Sequence, residues 1–196
     1  MTPDSDPRET VRTLVRAIPP GDDTEAVHLA RTLAWLDSGA PIFRTDGPAT
    51  SHKHLVVYAA LLDESAGALL LVEHLKSGLW LPPGGHVDYD EDPRLAVLRE
   101  LREELGLRPP FHPSAGAAPV FLAINEFVPP HAHTDVCLWF LFAADATAPL
   151  VPDPGEICAT RWFPVAEAPT WEADSDPSVG RFLGKVASLG AVPGGW

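Results

Sequence analysis

The 196-residue sequence predicts an α/β fold, a mixed β-sheet sandwiched between helices. Three observations carry that expectation. Nearly continuous apolar runs at 55–63 and 135–144 have the length and composition of buried strands. Between them, 93–105 has helical spacing with end signals on both sides. Strands, a helix, further strands and a last helix then follow one another, the order of a layered α/β domain.

Taken in order, Asp6-Pro7-Arg8-Glu9 reads as a capping box with proline at the first helical position. Val11, Leu14, Val15 and Ile18 follow at helical spacing, and Pro19-Pro20-Gly21 ends that helix. Asp22 with Glu25 opens a second helix, with Val27, Ala30, Leu33, Ala34 and Leu36 expected on one side. Two helices this short cannot form a core alone, so they must pack on the main domain or on a second subunit. They could wall a pocket, build a homodimer or simply brace the sheet. The expected division is an N-terminal helical extension at 1–47 and a main domain at 48–196, with 1–5 loose and 43–52 a linker.

A strand at 55–63 is expected to pair with one at 68–75 across an intervening turn. A short strand at 79–81 leads into Pro82-Pro83-Gly84-Gly85. That run reads as a turn, because proline fixes φ and glycine permits positive φ. Asp92 suits an N-cap, Pro93 the first helical position and Gly106 the position that ends a helix over 93–105. Strands are expected at 120–127, 135–144 and 159–165. Val179, Phe182, Leu183 and Val186 give helical spacing within 177–189.

Composition narrows the partners. The formal charge is −13 with no basic stripe to offset it, which argues against binding a nucleic-acid polymer. The longest apolar runs are too short to span a bilayer. Cys137 and Cys158 form neither a close metal-binding pair nor a disulfide framework, and the N-terminus lacks the apolar segment of a signal peptide. A reducing cytoplasm is the expected compartment.

The helix at 93–105 carries the chemistry. At about 100° per residue, Val97, Leu98, Leu101 and Leu105 form one arc, Glu100, Glu103 and Glu104 a second, and Arg99 and Arg102 a third. The glutamates stand at i, i+3 and i+4, where like charges repel, and two lie where the helix dipole disfavours them. Either this is a solvated acidic face or a divalent cation sits among the oxygens and reverses the sign.

The wider spacing favours the cation. Gly85 is followed by five residues, Glu91, seven residues and then Arg99-Glu100-Leu101-Arg102-Glu103-Glu104-Leu105-Gly106-Leu107. This resembles the signature of the Nudix hydrolase superfamily at every defined position. The box covers 85–107, and weaker similarity extends over 53–165. The resemblance implies the Nudix fold, with the box as a loop–helix–loop under the sheet. It also implies hydrolysis of a nucleoside diphosphate linked to another group, by water assisted by Mg2+ or Mn2+.

Carried over residue by residue, the resemblance assigns Glu100, Glu103 and Glu104 as metal ligands, with the carbonyl of Gly84 or Gly85 beside them. Arg99 would orient a glutamate, with Glu103 and Glu91 as its partners, and loss of Glu103 should abolish turnover. Some family members draw a further carboxylate from a loop before a late strand. Glu156 is the candidate here for ligand or base, and Asp153 the runner-up.

The rest concerns a small nucleotide-like substrate. Arg44, His52, Lys53 and His54 are basic residues in an acidic chain, and either meet phosphates or are ordinary surface charges. His86, His131, His133 and Asp135 are candidates to line a pocket. Trp80, Trp139 and Phe140 could stack on a base, although at strand spacing an aromatic is more often core. Two other readings stay open. One is a nucleotide-sensing domain without catalysis, which the complete box argues against. The other is an isopentenyl-diphosphate-isomerase-like enzyme, which would need a poised cysteine where Cys137 and Cys158 look like strand interior.

Overall fold

A computed structural model of the chain describes residues 6–44, 52–128, 132–171 and 174–190. The segments 1–5 and 45–51, and His131 in the loop before the sixth strand, lie outside the described residues.

Seven strands make one mixed sheet: β1 (Lys53–Asp63), β2 (Ala68–His74), β3 (Trp80–Leu81), β4 (Gly84–His86), β5 (Pro119–Phe127), β6 (His133–Ala143) and β7 (Ile157–Pro164). The helices are α1 (Pro7–Arg16), α2 (Asp23–Asp37), α3 (Pro93–Leu105), the single turn α4 (Ala168–Trp171) and α5 (Val179–Ser188). The centre of the sheet is the parallel pair β1 and β6, in register from Lys53↔Thr134 to Leu62↔Ala143. Strand β5 runs antiparallel on the far side of β6.

Both central strands are unbroken apolar runs because both of their faces are covered. Leu55, Val57, Ala59 and Leu61 point into a core shared with Val11, Val15, Leu29, Val97 and Leu101 from the first three helices. Val56, Tyr58, Ala60 and Leu62 point the other way, against Phe182, Leu183 and Val186 of α5. The expected sandwich is therefore present. The ends of α3 form as the local chemistry dictates: Asp92 Oδ1 accepts from Arg94 N at 2.9 Å, and Gly106 takes φ 67° at the C-terminus.

Three expectations need correction. Strand β2 stays with β1 for only two residue pairs, Leu62↔Leu69 and Asp63↔Ala68. It then runs mainly against β7, from Ala68↔Pro164 to His74↔Ile157. Second, Gly84 and Gly85 are not a free turn but most of strand β4, paired through Val57↔Gly85 and Tyr58↔Gly84. Gly84 lies so close to β1 that a Cβ there would stand 2.0 Å from the Val57 carbonyl oxygen, so only glycine permits this pairing.

Third, the buried side of α2 is Glu25, Leu29, Thr32 and Leu36, while Val27, Ala30 and Ala34 are exposed. Periodicity misreads the helix because a charged residue occupies the buried stripe. Glu25 is wholly buried, and its carboxylate accepts from Lys185 Nζ at 2.7 and 2.8 Å, Gly21 N at 2.7 Å and Leu122 N at 3.1 Å. The extension is thereby clamped onto the sheet of its own chain. Breaking a buried pair by removing one partner leaves an uncompensated charge, so Lys185→Ala should cost about 3 kcal/mol in denaturant melts. A joint Glu25→Gln, Lys185→Met replacement should cost clearly less.

Candidate active site

One arginine organises the acidic face of α3. Arg99 donates through Nε and Nη2 to the two Glu91 oxygens at 3.0 and 2.8 Å. Its Nη1 donates to Glu100 at 2.8 Å and Glu103 at 3.1 Å, and Nη2 also reaches the His86 carbonyl at 3.0 Å. The guanidinium thus joins the start of the box, strand β4 and two of the three helix glutamates. Its pKa is raised, chiefly by the Glu91 hydrogen bond.

The three glutamates differ in setting. Glu103 is exposed at the outer edge and is also reached by Arg102. Glu100 is half-buried, and its oxygens crowd β4: a Cβ on Gly85 would stand 2.6 Å from Glu100 Oε1. Glu104 is 3% exposed and accepts the Gly84 N–H at 2.9 Å. Burial pushes its carboxyl up to about 8, the Gly84 hydrogen bond opposes that shift, and repulsion from Glu100, Glu156 and Asp153 adds to it. Burial also raises Glu100, against the opposing pull of Arg99. The 152–156 loop is tied to the end of α3, Asp153 N donating to the Glu104 carbonyl at 2.8 Å. Glu156 itself is exposed.

This donor set suits a hard divalent cation. Carboxylate oxygens converge on a glycine backbone, and burial, with a smaller contribution from their mutual repulsion, holds Glu104 protonated near neutrality until a positive charge joins them. Gly85 leaves the space between β4 and Glu100 that any side chain would fill.

The remaining candidates gather on the other face of β4. The His86 ring lies 3.1 Å from His54 Nε2, and Arg44 Nη1 lies 3.2 Å from His86 Nδ1. Burial lowers His86 to about 4, helped by His54 and Arg44, so its ring is neutral. His133 stacks on Phe127 and lies 3.6 Å from Asp135, which is buried beside His54. Trp80 is half-buried edge-on against Phe163 and bridges to Ser175. Trp139 and Phe140 are wholly buried and belong to the core. Asn125 and Asp176, which sequence reasoning did not select, meet at 2.8 Å on this face. Their partnership joins β5 to the segment before α5, and no local pattern announces it.

The architecture is a mixed α/β sandwich in which a carboxylate-bearing helix packs beneath a glycine strand. Residues 52–182 match the family model of the NUDIX domain, and the chain belongs to that family. Over 32 residues it is 62% identical to an RNA pyrophosphohydrolase of Gluconacetobacter diazotrophicus, covering 16% of this chain and 19% of that protein. Over 124 residues it is 35% identical to an m7GpppN-mRNA hydrolase of Danio rerio, covering 54% of this chain and 40% of that one. In both, the match spans less than half of the relative's length. The solved structure of a C. elegans Ap4A hydrolase binary complex shares the fold, with TM-score 0.56 and 19% identity over 70% of this chain and 97% of that one.

Proposed function

We propose that this protein hydrolyses the diphosphate bond of a nucleoside diphosphate linked to another moiety, with Mg2+ or Mn2+ as cofactor. One observation carries the reading: Glu100 and Glu104 are gathered against the Gly84–Gly85 backbone with Glu156 and Asp153 close enough to raise Glu104. Such an arrangement is unfavourable without a cation and useful with one. The named activities of the relatives concern RNA, capped mRNA and Ap4A, which supports a nucleotide-derived substrate. The net charge of −13 favours a small one.

In this reading Glu100, Glu103, Glu104 and the Gly85 carbonyl would hold the ion, whose charge would offset that of the diphosphate and lower the pKa of a bound water. Arg99 is a positioning residue that fixes Glu100 and Glu103. Glu103 and Glu156 are the exposed carboxylates able to take a proton from the attacking water. Arg44 offers its charge to a phosphate, while His86 and Trp80 present a neutral ring and an aromatic edge to the rest of the substrate. His133 and Asp135 complete the polar rim at that end of the sheet.

We further assign 48–196 as the catalytic unit and 1–47 as a bracing extension. Both cysteines are free, which supports a reducing cytoplasmic setting. Among the described residues no helix is long and apolar enough to cross a membrane.

The test is a panel of dinucleoside polyphosphates, nucleotide sugars, NADH and oxidised nucleoside triphosphates. At least one should yield product with Mg2+ or Mn2+ and none with chelator. Nucleotide binding without product in either metal would instead identify a sensing domain.

A further inference from the structure

Strands β1 and β6 begin side by side, and their parallel register sets His54 next to Asp135. His133 stands two residues earlier in β6, so its side chain leaves the same face of the sheet. That face is opposite the one on which Glu100 meets Gly85, and none of the three residues belongs to the box.

The donor atoms converge. His54 Nε2 lies 2.8 Å from Asp135 Oδ1, and His133 Nε2 lies 3.6 Å from Asp135 Oδ2. One donor atom from each residue falls within 4.8 Å of the other two. The ring of His133 is held between Phe127 and His54, with centroids at 4.4 and 5.7 Å, so the direction of its nitrogens is set. His86 adds a third imidazole, 3.1 Å from His54 Nε2.

A second observation points to a cation. Asp135 Oδ1 is buried and makes no hydrogen bond among the described residues, although it approaches a ring nitrogen. A desolvated carboxylate oxygen in that condition is costly unless a positive charge takes its lone pair.

We propose that His54, His133 and Asp135 form a second metal site, built for a transition ion of the zinc type rather than for Mg2+. Two imidazoles and one carboxylate are the ligands such ions prefer, whereas Mg2+ prefers oxygen alone. Tetrahedral bonds of about 2.0–2.1 Å place ligand atoms about 3.3 Å apart. The separations of 2.8 and 3.6 Å straddle that value.

The site shares His133 and Asp135 with the polar rim of the hydrolase reading, but its test reads retained metal rather than turnover, so failure of one does not entail failure of the other. Metal-free protein is dialysed against Zn2+ in the presence of millimolar Mg2+, and Co2+ is used separately for its visible absorption bands. One Zn2+ per chain should be retained against Mg2+. His133→Ala and Asp135→Asn should each weaken Zn2+ binding by about 100-fold or more, as loss of one of three protein ligands demands, whereas Glu104→Gln should leave it unchanged. His133 is only partly buried, so its replacement keeps the core, and melting of the metal-free variants verifies that. The proposal is overturned if wild-type protein retains no Zn2+ against Mg2+. It is equally overturned if both variants bind Zn2+ like wild type, or if Glu104→Gln alone abolishes the binding.

Discussion

Glu104→Gln is expected to lower metal-supported kcat/KM by about 10³-fold and yet to raise the melting temperature of the metal-free protein. Both effects have one origin. The carboxyl is buried at 3% exposure, and its pKa stands at about 8 against an ordinary 4.5. The folded state therefore holds a proton that the unfolded chain has released over that whole interval. Stability is full below about pH 4.5, falls as pH rises, and reaches its floor above pH 8. At pH 7 the loss amounts to about 3 kcal/mol. Glutamine still accepts the Gly84 N–H but has no proton to release, so this part of the pH slope disappears.

Thermal melts at pH 5 and pH 8, with and without Mg2+, read all of this together. Wild type should lose more stability than the variant between the two pH values and regain it with Mg2+ at pH 8. The variant should respond little to the ion, because ligand-linked stabilisation needs the binding site. Undiminished turnover, or a variant that melts below wild type at pH 8 without metal, contradicts the assignment.

The second large effect is expected at Arg99. Arg99→Ala removes at once the partner of Glu91, Glu100 and Glu103 and the donor to the His86 carbonyl. Two of those carboxylates are largely buried, with side-chain exposures of 17% and 12%. Leaving them unpaired should cost about 3 kcal/mol, the lower end for a broken buried ion pair because Arg99 itself is partly exposed. Turnover should fall by about 10²-fold or more, since displaced ligands no longer share one geometry. Arg99→Lys should restore charge but little function, because an ammonium cannot reproduce a fork that serves four acceptors. Melts and initial rates measure both. An alanine variant with wild-type melting and rate would show that the guanidinium positions nothing.

Much of this could be read before any coordinates. The α3 boundaries follow from Asp92, Pro93 and Gly106, because capping is chemistry between residues close in sequence. The apolar runs gave β1 and β6 for the same reason. What escaped was settled by distant partners. Strand β4 exists because β1 offers it an edge, and Gly84 alone permits the approach. Glu25 is buried because Lys185 reaches it from the far end of the chain. His54 read as one of several surface cations, and only the parallel register with β6 reveals Asp135 beside it. The unequal settings of Glu100, Glu103 and Glu104 also depend on β4, which a helical wheel does not contain.

The clamp between α2 and α5 bears on how the chain assembles. Glu25 and Lys185 are separated by 160 positions, and the central parallel strands are joined only through a long crossover. Contacts of such high sequence separation must wait for costly loop closure. A nascent chain emerging from the ribosome would carry a desolvation-prone acid in its second helix long before the matching base had been synthesised. Completion of the hydrophobic interior around α2 is thus tied to the arrival of α5, and the earlier helices cannot lock into place ahead of it.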